Sequence, residues 1–419
     1  MRATTSQQGR FQILAGTLVA CSCSAPPARP PATLVPFDPP PSAQVPIGGV
    51  SDLALDPSDS SGYGFVGVSD RGPNDPKGGI VRFPFPRYHQ KLSRFRLERD
   101  GSIRLVGTDS VKDGRGRWTT GLPSPLFPAT EQATTAGPDG RILSIPSDSA
   151  GFDFEGLASD GAGTLWASEE YGPRIVRMRR DAPGGWKIDR TLSPGNGLPA
   201  VFSRRAANKG LEALCRAADG GLVAIFQGAL ANTAGGSMDA STVAERSLVR
   251  RILSISPDGE RVSEHLAQMP DDPRSKAKRR TRIGACTALD DGRILVLEHR
   301  KKGKGRIEVD LVAWSLDSAT DVHLASDPQA RGRLVGGATL EDVAMAPDGL
   351  AKAGIRPVDR SLVSVDLTRD LDAELAKPEG LVVFADSTAL ISFDNDFGVK
   401  GAGPRTWFLK TRLSLPRRR

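Results

Sequence analysis

Carboxylate side chains recur at one position of a repeated pattern along this 419-residue chain. Each stands five or seven residues before an aspartate that begins a turn. The pairs of acid and turn aspartate are Glu155 with Asp160, Glu212 with Asp219, Glu341 with Asp348, and Glu379 with Asp386. Acids also end the apolar run near or beyond each turn, namely Asp70, Glu170, Glu298 and Asp394. Carboxylates that converge repel one another unless a cation, Lys or Arg offsets their charge. The pattern therefore predicts a site that handles ions.

Basic residues stand close to these acids in the sequence. Lys209, Arg282 and Lys377 each lie two or three residues before a recurring position, and Arg71 directly follows Asp70. Guanidinium and ammonium groups form charge-assisted hydrogen bonds with carboxylate and phosphate oxygens. A mixed cluster of acids and bases suits a site that binds a metal ion together with an anionic group.

The repeated pattern is that of a strand, a tight turn and a second strand. Its clearest copy begins Phe154-Glu155-Gly156-Leu157, turns at Asp160-Gly161 and ends Ser168-Glu169-Glu170. Apolar runs joined by an Asp-Gly turn are typical of β-hairpins. Six copies leave roughly 60 residues each, which suits the four-stranded blades of a propeller. We therefore expect an all-β fold with a single β-propeller of six blades. Five or seven blades stay open, because the stretch 306–360 is poorly patterned.

In a propeller, the first strand of each blade lines a central channel, so equivalent positions form a ring. One ring is predicted to contain Glu155, Glu212, Glu341 and Glu379. A second layer is predicted to contain Asp70, Glu170, Glu298 and Asp394. The copy at Ile283 has Gly284 in place of the acid, so the ring is expected to be incomplete. The alternative role for these acids is structural, with each accepting hydrogen bonds that join neighbouring blades.

The N-terminus has the pattern of an export signal. Arg2 and Arg10 precede a short apolar run, Phe11 to Ala20, which is too short to be a stable membrane span. The run ends Leu18-Val19-Ala20-Cys21, which resembles the lipobox of bacterial lipoproteins, with Cys21 as the lipidated residue. The alternative is a secretory signal cut near Ala20. Both readings predict an exported protein, and the first predicts one anchored by lipid to a membrane of the cell envelope.

A proline-rich segment follows Cys21 and is expected to form an extended tether. The predicted organisation is a signal peptide over 1–20, a linker over 21–46 and a propeller domain over 47–419.

Composition and motifs disfavour several other classes of protein. The net charge is +7, but the bases are spread along the chain, which argues against nucleic-acid binding and still favours an anionic small molecule as substrate. The four histidines lack the spacing of a zinc site, and no Gly-x-Ser-x-Gly or P-loop motif occurs. Cys215 and Cys286 stand in matching places of two copies, so they either pair or remain buried thiols.

Five motifs occur in a fixed order along the body of the chain. They are Val68-Ser69-Asp70-Arg71-Gly72-Pro73, Phe154-Glu155-Gly156-Leu157, Ser168-Glu169-Glu170-Tyr171-Gly172-Pro173, Asn208-Lys209-Gly210-Leu211-Glu212-Ala213-Leu214 and Phe393-Asp394-Asn395-Asp396-Phe397-Gly398. In this order they resemble the bacterial phytase-like family, also described by an esterase-like activity of phytase. The resemblance covers about Gly48 to Phe408 and implies a propeller that hydrolyses phosphoric esters. The chain departs from the family pattern at Ala213, where glycine is preferred, and at Gly284.

If the chain hydrolyses phosphoric esters, as the resemblance implies, its acids and bases suggest roles for individual residues. The catalytic acids are expected to be Asp70, Glu155, Glu170, Glu212 and Glu379. The substrate phosphate is expected to contact Arg71, Lys209, Arg282 and Lys377. A cation, with Ca²⁺ as the candidate, is expected on Glu155, Glu170, Glu212, Asp394 and Asp396.

Two other functions stay open at this stage. The first is a non-catalytic propeller at the cell envelope that binds a ligand or a protein partner. The second is a lactonase-like hydrolase, since other six-bladed propellers use a calcium ion held by acids. Channel acids clustered around a cation would favour a hydrolase, whereas ion pairing of all of them with Arg and Lys would favour the binding protein.

Overall fold

The computed structural model describes residues 30–40, 45, 47–77, 80–125, 132–137, 139–181, 184–235, 238–271, 281–302, 306–371, 375, 377–399 and 403–414. The predicted signal segment and Cys21 lie outside the described residues. No helix in the described part of the chain has the length and apolarity needed to cross a bilayer.

Strands make up most of the described chain. Those of the first half are β1 (Ala32–Phe37), β2 (Val50–Leu55), β3 (Gly64–Ser69), β4 (Asp75–Lys77), β5 (Ile80–Arg82), β6 (Lys91–Leu97), β7 (Ile103–Lys112), β8 (Gln132–Ala136), β9 (Ile142–Ser144), β10 (Phe154–Ser159), β11 (Thr164–Glu169), β12 (Arg174–Arg180), β13 (Trp186–Pro194) and β14 (Gly197–Leu198). Those of the second half are β15 (Leu211–Arg216), β16 (Leu222–Phe226), β17 (Val249–Ile255), β18 (Val262–Gln268), β19 (Arg282–Ala288), β20 (Ile294–Lys301), β21 (Ile307–Ser315), β22 (Leu334–Val335), β23 (Ala338–Thr339), β24 (Asp359–Ser364), β25 (Lys377–Val383), β26 (Thr388–Asp394) and β27 (Thr406–Arg412). The helices are α1 (Ala240–Arg246), α2 (Leu340–Val343) and α3 (Gly349–Lys352), with 3₁₀ turns at Ala200–Arg204 and Asp396–Gly398.

Five four-stranded blades surround the channel, counted here from the N-terminal side, and a further four-stranded sheet, β4-β5-β8-β9, contributes no strand to the inner ring. From the channel outwards, blade 1 is β2-β3-β6-β7, blade 2 is β10-β11-β12-β13, blade 3 is β15-β16-β17-β18, blade 4 is β19-β20-β21-β24 and blade 5 is β25-β26-β27-β1. The five inner strands β2, β10, β15, β19 and β25 contact one another in a closed ring. An apolar core fills each of the five spaces between adjacent blades. The chain is therefore a β-propeller, as the sequence predicts.

The expected six blades are corrected to five among the described residues. The copy at Glu341 is not an inner strand, because Leu340–Val343 is helix α2, which a capping box on Thr339 begins. This helix belongs to an insertion between β21 and β24 that packs through a small apolar cluster against Val249 and Leu266 of blade 3. Leu340-Glu341-Asp342 resembles the other copies in composition. Asp342, however, completes the capping box with Thr339, so the segment begins a helix and not a strand.

The N-terminal strand closes the propeller, which corrects part of the predicted linker over 21–46. Ala32–Phe37 pairs antiparallel with Thr406–Arg412 and forms the outer edge of blade 5. Its alternating burial fits a half-covered edge strand, where Pro36 is tolerated because no further strand needs its missing N–H. Blade 5 therefore combines an N-terminal strand with three C-terminal strands, and this pairing closes the ring of blades.

Candidate functional site

A β-bulge interrupts the inner strand of every blade at the same height in the channel. Pairing with the second strand skips Ser51, Glu155, Glu212 and Glu379, and in blade 4 it skips Gly284 and Ala285. A bulge takes a residue out of the strand ladder and re-aims its side chain. The recurring acid of the sequence is thus the bulged residue, and the charges of Glu155, Glu212 and Glu379 act on one another across the channel.

Two further layers of residues surround this bulge ring. The residues two positions before the bulge are Gly49, Asp153, Gly210, Arg282 and Lys377. In each blade, one residue lies directly after the second-strand partner of the residue that precedes the bulge; these residues are Asp70, Glu170, Gln227, His299 and Asp394. The three layers form one mouth of the channel, with an acidic half on blades 1 to 3, Arg282 on blade 4, and Lys377 paired with the acids Glu379 and Asp394 on blade 5.

The missing acid of blade 4 has a steric cause. A Cβ on Gly284 would lie 2.6 Å from the carbonyl oxygen of Pro378 and 3.3 Å from Cα of Glu379. Blades 4 and 5 approach too closely here for any side chain. The bulge ring therefore holds three acids, because blade 1 contributes Ser51 and blade 4 contributes glycine.

Glu298 lies one residue away from the second layer in which the sequence places it. It pairs opposite Ile283, and the next residue, His299, takes the layer position. The Glu298 carboxylate accepts hydrogen bonds from Trp314 Nε1 at 3.0 Å and from Arg360 Nη2 at 2.6 Å, both within blade 4. Glu298 is therefore a structural residue of its blade.

The acidic half contains a group that could hold a metal ion. One carboxylate oxygen each from Asp153, Glu155 and Glu170 lie within 4.8 Å of one another. Asp153 accepts a hydrogen bond from the backbone N–H of Arg71 at 3.0 Å, and Glu170 accepts one from Gly210 N–H at 3.1 Å. Burial, followed by the charges of Asp153, Glu212 and Glu170, raises the pKa of Glu155 well above its ordinary value. All three donors are oxygens, the ligands that hard cations prefer.

Glu212 adjoins this group from blade 3. Its Oε1 accepts a hydrogen bond from Gln227 Nε2 at 2.5 Å, and its Oε2 is buried without a hydrogen-bond partner among the described residues. Burial first, and then the charges of Glu170 and Glu379, raise the pKa of Glu212 well above its ordinary value. A carboxyl group in this position favours either a proton or a nearby cation.

Lys377 organises the acids of blade 5. Its ammonium group lies 2.9 Å from Asp394 Oδ2, 3.3 Å from Asp396 Oδ1 and 3.6 Å from Glu379 Oε1. Burial and the charges of Asp394 and Asp396, opposed by Lys377, raise the pKa of Glu379 to about 8. Glu379 is therefore protonated in much of the population at neutral pH.

Arg282 and His299 face the mouth from blade 4. Arg282 is exposed and forms no ion pair with any described carboxylate. Burial, together with the positive charges of Arg282 and Lys377, lowers the pKa of His299 to about 3. His299 is consequently neutral at physiological pH, and its buried Nδ1 has no hydrogen-bond partner among the described residues.

The remaining predicted residues lie on the rim. The guanidinium Nε of Arg71 is 3.7 Å from Asp153 Oδ2, so Arg71 supports the acidic half. Asp70 accepts a hydrogen bond from Gly72 N–H at 2.7 Å, and burial raises its pKa. Lys209 packs its aliphatic stem along Gly228 on the rim of blade 3.

The loop after β26 is held by Asn395 and not by a metal-type ligand set. Asn395 Oδ1 accepts hydrogen bonds from Gly49 N–H at 3.2 Å and Phe397 N–H at 3.1 Å. Asp396 and Phe397 have left-handed backbone angles, with φ of 45° and 55°, which cost free energy outside glycine. Of the predicted metal ligands, Glu155 and Glu170 belong to the three-carboxylate group, whereas Glu212 adjoins it and Asp394 and Asp396 pair with Lys377.

Asp153, Gln227 and Asp52 are site residues that the sequence patterns did not single out. The first two follow from aligning all five blades by the bulges of their inner strands, which needs the true blade count. Asp52 plugs the channel below the ring: its carboxylate accepts hydrogen bonds from the N–H groups of Leu53 at 2.7 Å, Leu157 at 2.8 Å and Leu381 at 3.3 Å.

Comparison with solved structures gives remote likenesses. Virginiamycin B lyase from Staphylococcus aureus is 11% identical with a TM-score of 0.31, and the match covers 90% of this chain and 99% of that one. The periplasmic gluconolactonase PpgL of Pseudomonas aeruginosa is 10% identical with a TM-score of 0.34, covering 82% and 81%. A putative 6-phosphogluconolactonase from Bacteroides fragilis is 9% identical with a TM-score of 0.35, covering 86% and 87%.

No curated protein matches the sequence. A family match, in contrast, spans residues 45–397, which include every inner strand and all three layers of the channel mouth. The chain therefore belongs to the phytase-like family, described as having the esterase-like activity of phytase.

Proposed function

We propose that this protein is a metal-assisted hydrolase of phosphoric esters that acts at the layered mouth of the propeller channel. The observation that carries the proposal is the division of the mouth. Three clustered carboxylates lie on one side, and Arg282, which has no carboxylate partner among the described residues, lies on the other. A cation and a phosphate group need surroundings of opposite charge, and this mouth offers both.

The acidic half fits a hard divalent cation, and we propose Ca²⁺. Asp153, Glu155 and Glu170 would hold it, with Glu212 close enough in charge to respond to it. Bound there, the cation would polarise a phosphoryl oxygen and acidify a water molecule. Burial first, and then the charges of neighbouring acids, raise the pKa values of Glu155 and Glu212; a cation would relieve the repulsion between these acids, which supports the fit.

The remaining residues would bind and orient the ester. Arg282 can donate hydrogen bonds to phosphate oxygens. Glu379, whose pKa is about 8, carries a proton at neutral pH and can donate it to the departing alcohol oxygen. Lys377 keeps Asp394 and Asp396 in place and so fixes the charge around Glu379.

Phosphate release from phytate and from simple phosphomonoesters tests the proposal. The exported form is treated with chelator and assayed with and without Ca²⁺, as wild type and as Glu155→Gln/Glu170→Gln. Asp290→Asn, an exposed carboxylate at the opposite mouth, is the matched control. Calcium-dependent release that the double variant loses and the control keeps is expected. If no ester releases phosphate while the double variant is folded, the proposed hydrolase activity is wrong.

A second candidate, a non-catalytic binding protein of the cell envelope, is favoured by the ion pairs of Lys377 with three acids. Glu212 Oε2, which has no hydrogen-bond partner in the described part of the chain, favours the hydrolase instead. For either function we propose export and lipid attachment at Cys21. Labelling of cells with a radioactive fatty acid should mark the wild-type protein and leave Cys21→Ser unlabelled; equal labelling would exclude this anchor.

A further inference from the structure

A second charged site lies between blades 2 and 3, at the strand ends remote from the channel mouth. This arginine crevice encloses about 180 Å³ and is lined by Trp166, Arg177, Arg179 and Arg190 of blade 2 and Arg216 of blade 3, with the turn at Ser256–Gly259 closing one side. It lies next to the Asp160 turn, whereas the catalytic acids lie at the other end of β10 and β11.

The crevice holds more positive charge than its carboxylates offset. Arg177 and Arg190 stand directly opposite each other in the β12–β13 ladder, a like-charge pairing that destabilises a sheet. Asp189 pairs with Arg177 at 2.8 Å and with Arg179 at 3.1 Å. Among the described residues, neither Arg190 nor Arg216 forms an ion pair within 4.0 Å of a carboxylate.

Glycines in two hairpin turns of blade 3 leave room for the two unpaired guanidinium groups. A Cβ on Gly259 would lie 3.1 Å from Arg190 Nη2, and a Cβ on Gly220 would lie 3.0 Å from Arg216 Nη2. Both glycines have positive φ, of 79° and 89°, so the turns themselves also favour glycine. The guanidinium groups can therefore lie against bare backbone and face the crevice.

We propose that the arginine crevice binds a tetrahedral oxyanion, a phosphate or sulfate group, independently of the channel. Guanidinium groups donate paired hydrogen bonds that match such oxygens, and an anion between Arg177 and Arg190 would remove their repulsion. Asp160, whose charge interacts with that of Arg216, accepts hydrogen bonds from the N–H groups of Ala162 and Thr164 at 2.8 Å through one oxygen, which holds it in its turn.

Hydrogen–deuterium exchange during titration with inorganic phosphate tests the proposal. We expect protection of the segments 160–166 and 256–261 in wild type. Arg190→Gln/Arg216→Gln should weaken this protection by at least about tenfold in phosphate concentration, the effect of losing about 1.4 kcal/mol of binding. The matched control, Arg104→Gln/Arg405→Gln, removes the same charge from exposed ion pairs on blades 1 and 5 and should behave as wild type.

A variant with the opposite expected effect, tighter binding, distinguishes loss of the site from a folding defect. Asp160→Asn keeps the oxygen that accepts both turn N–H groups but removes a negative charge, so it should bind phosphate more tightly. Polyphosphate binding tighter than free phosphate, at equal phosphate groups, would show that the crevice takes a polymer-borne group; equal binding would show a free anion. Equal affinity in Arg190→Gln/Arg216→Gln and wild type, or protection confined to the channel strands, would overturn the proposal.

Discussion

Gln227 donates a hydrogen bond to one carboxylate oxygen of Glu212 and leaves the other, Oε2, buried without a partner among the described residues. A buried carboxylate with an unsatisfied oxygen is costly as an anion. The same burial raises the pKa of Glu212 well above its ordinary value, so the ionised form of this acid is disfavoured in the fold.

The first prediction concerns pH in the presence of chelator. The folded protein holds the protons of Glu155, Glu212 and Glu379 above the pH at which the unfolded chain releases them; for Glu379 the interval runs from 4.5 to about 8. In this interval the folded state binds more protons, so the free energy of unfolding falls as pH rises, by about 1.4 kcal/mol for each unit of pKa difference. Urea denaturation at several pH values measures the slope.

Glu212→Gln removes one of these titrating groups and should make the slope shallower. Asp290→Asn, at the opposite mouth, should leave the slope unchanged. A free energy of unfolding that rises between pH 5 and 8 in chelator, or an equal slope in Glu212→Gln, would contradict the assignment.

The second prediction concerns calcium and stability. Saturating Ca²⁺ should raise the free energy of unfolding of wild type, by about 2.7 kcal/mol at a concentration one hundred times the Kd. Glu155→Gln/Glu170→Gln should lose this gain, because it removes two of the three clustered carboxylates. Asp396→Asn should keep it, since Asp396 pairs with Lys377. Thermal or urea unfolding measures the calcium-dependent gain of each variant. If Asp396→Asn loses the gain and Glu155→Gln/Glu170→Gln keeps it, the cation lies on the loop after β26 instead.

The third prediction concerns Asp52, which joins three blades through one carboxylate. Asp52→Asn keeps one acceptor oxygen and leaves the N–H of either Leu157 or Leu381 facing an amide NH₂ group. We expect a loss of about 1–3 kcal/mol in the free energy of unfolding, the cost of a buried unsatisfied polar group. Burial raises the pKa of Asp52, so the loss should be smallest at acidic pH. An unfolding free energy equal to wild type at pH 8 would refute this structural role.

The sequence predicts the propeller and most of the mouth because strand pattern and recurring acids are local signals. Glu155, Glu212 and Glu379 converge as expected because a bulge repeats with the blade. The predicted blade count is wrong because the copy at Glu341 is counted as a strand. A helix cap and the start of a strand share the same residue types there. The predicted layer position of Glu298 is wrong by one residue, because the partner strand sets the pairing register. Gly284 is explained only by the close approach of Pro378, a contact between blades that no local pattern contains.

The fourth prediction concerns the two cysteines of the described chain. Cys215 and Cys286 are both buried, and both are free thiols that line the opposite mouth. Burial first, with the adjacent Cys215 thiol, raises the pKa of Cys286 well above its ordinary value, so little thiolate forms. Because both thiols are buried, a thiol-reactive dye at pH 8 should label them slowly in the native protein and rapidly in denaturant. Rapid native labelling, absent in Cys286→Ser, would show that this mouth is open to reagent.

The fifth prediction concerns Glu341, which the structure moves from the channel to a buried ion network. Its carboxylate accepts hydrogen bonds from Arg251 Nε at 2.6 Å and from Asn232 Nδ2 at 3.0 Å, and Arg251 also pairs with Glu264. Glu341→Ala leaves a buried guanidinium with one partner fewer, so we expect a loss of about 3–5 kcal/mol in the free energy of unfolding. Because α2 lies outside the blades, calcium binding by the folded fraction should be unchanged. Loss of calcium binding with unaltered stability would return Glu341 to the channel site.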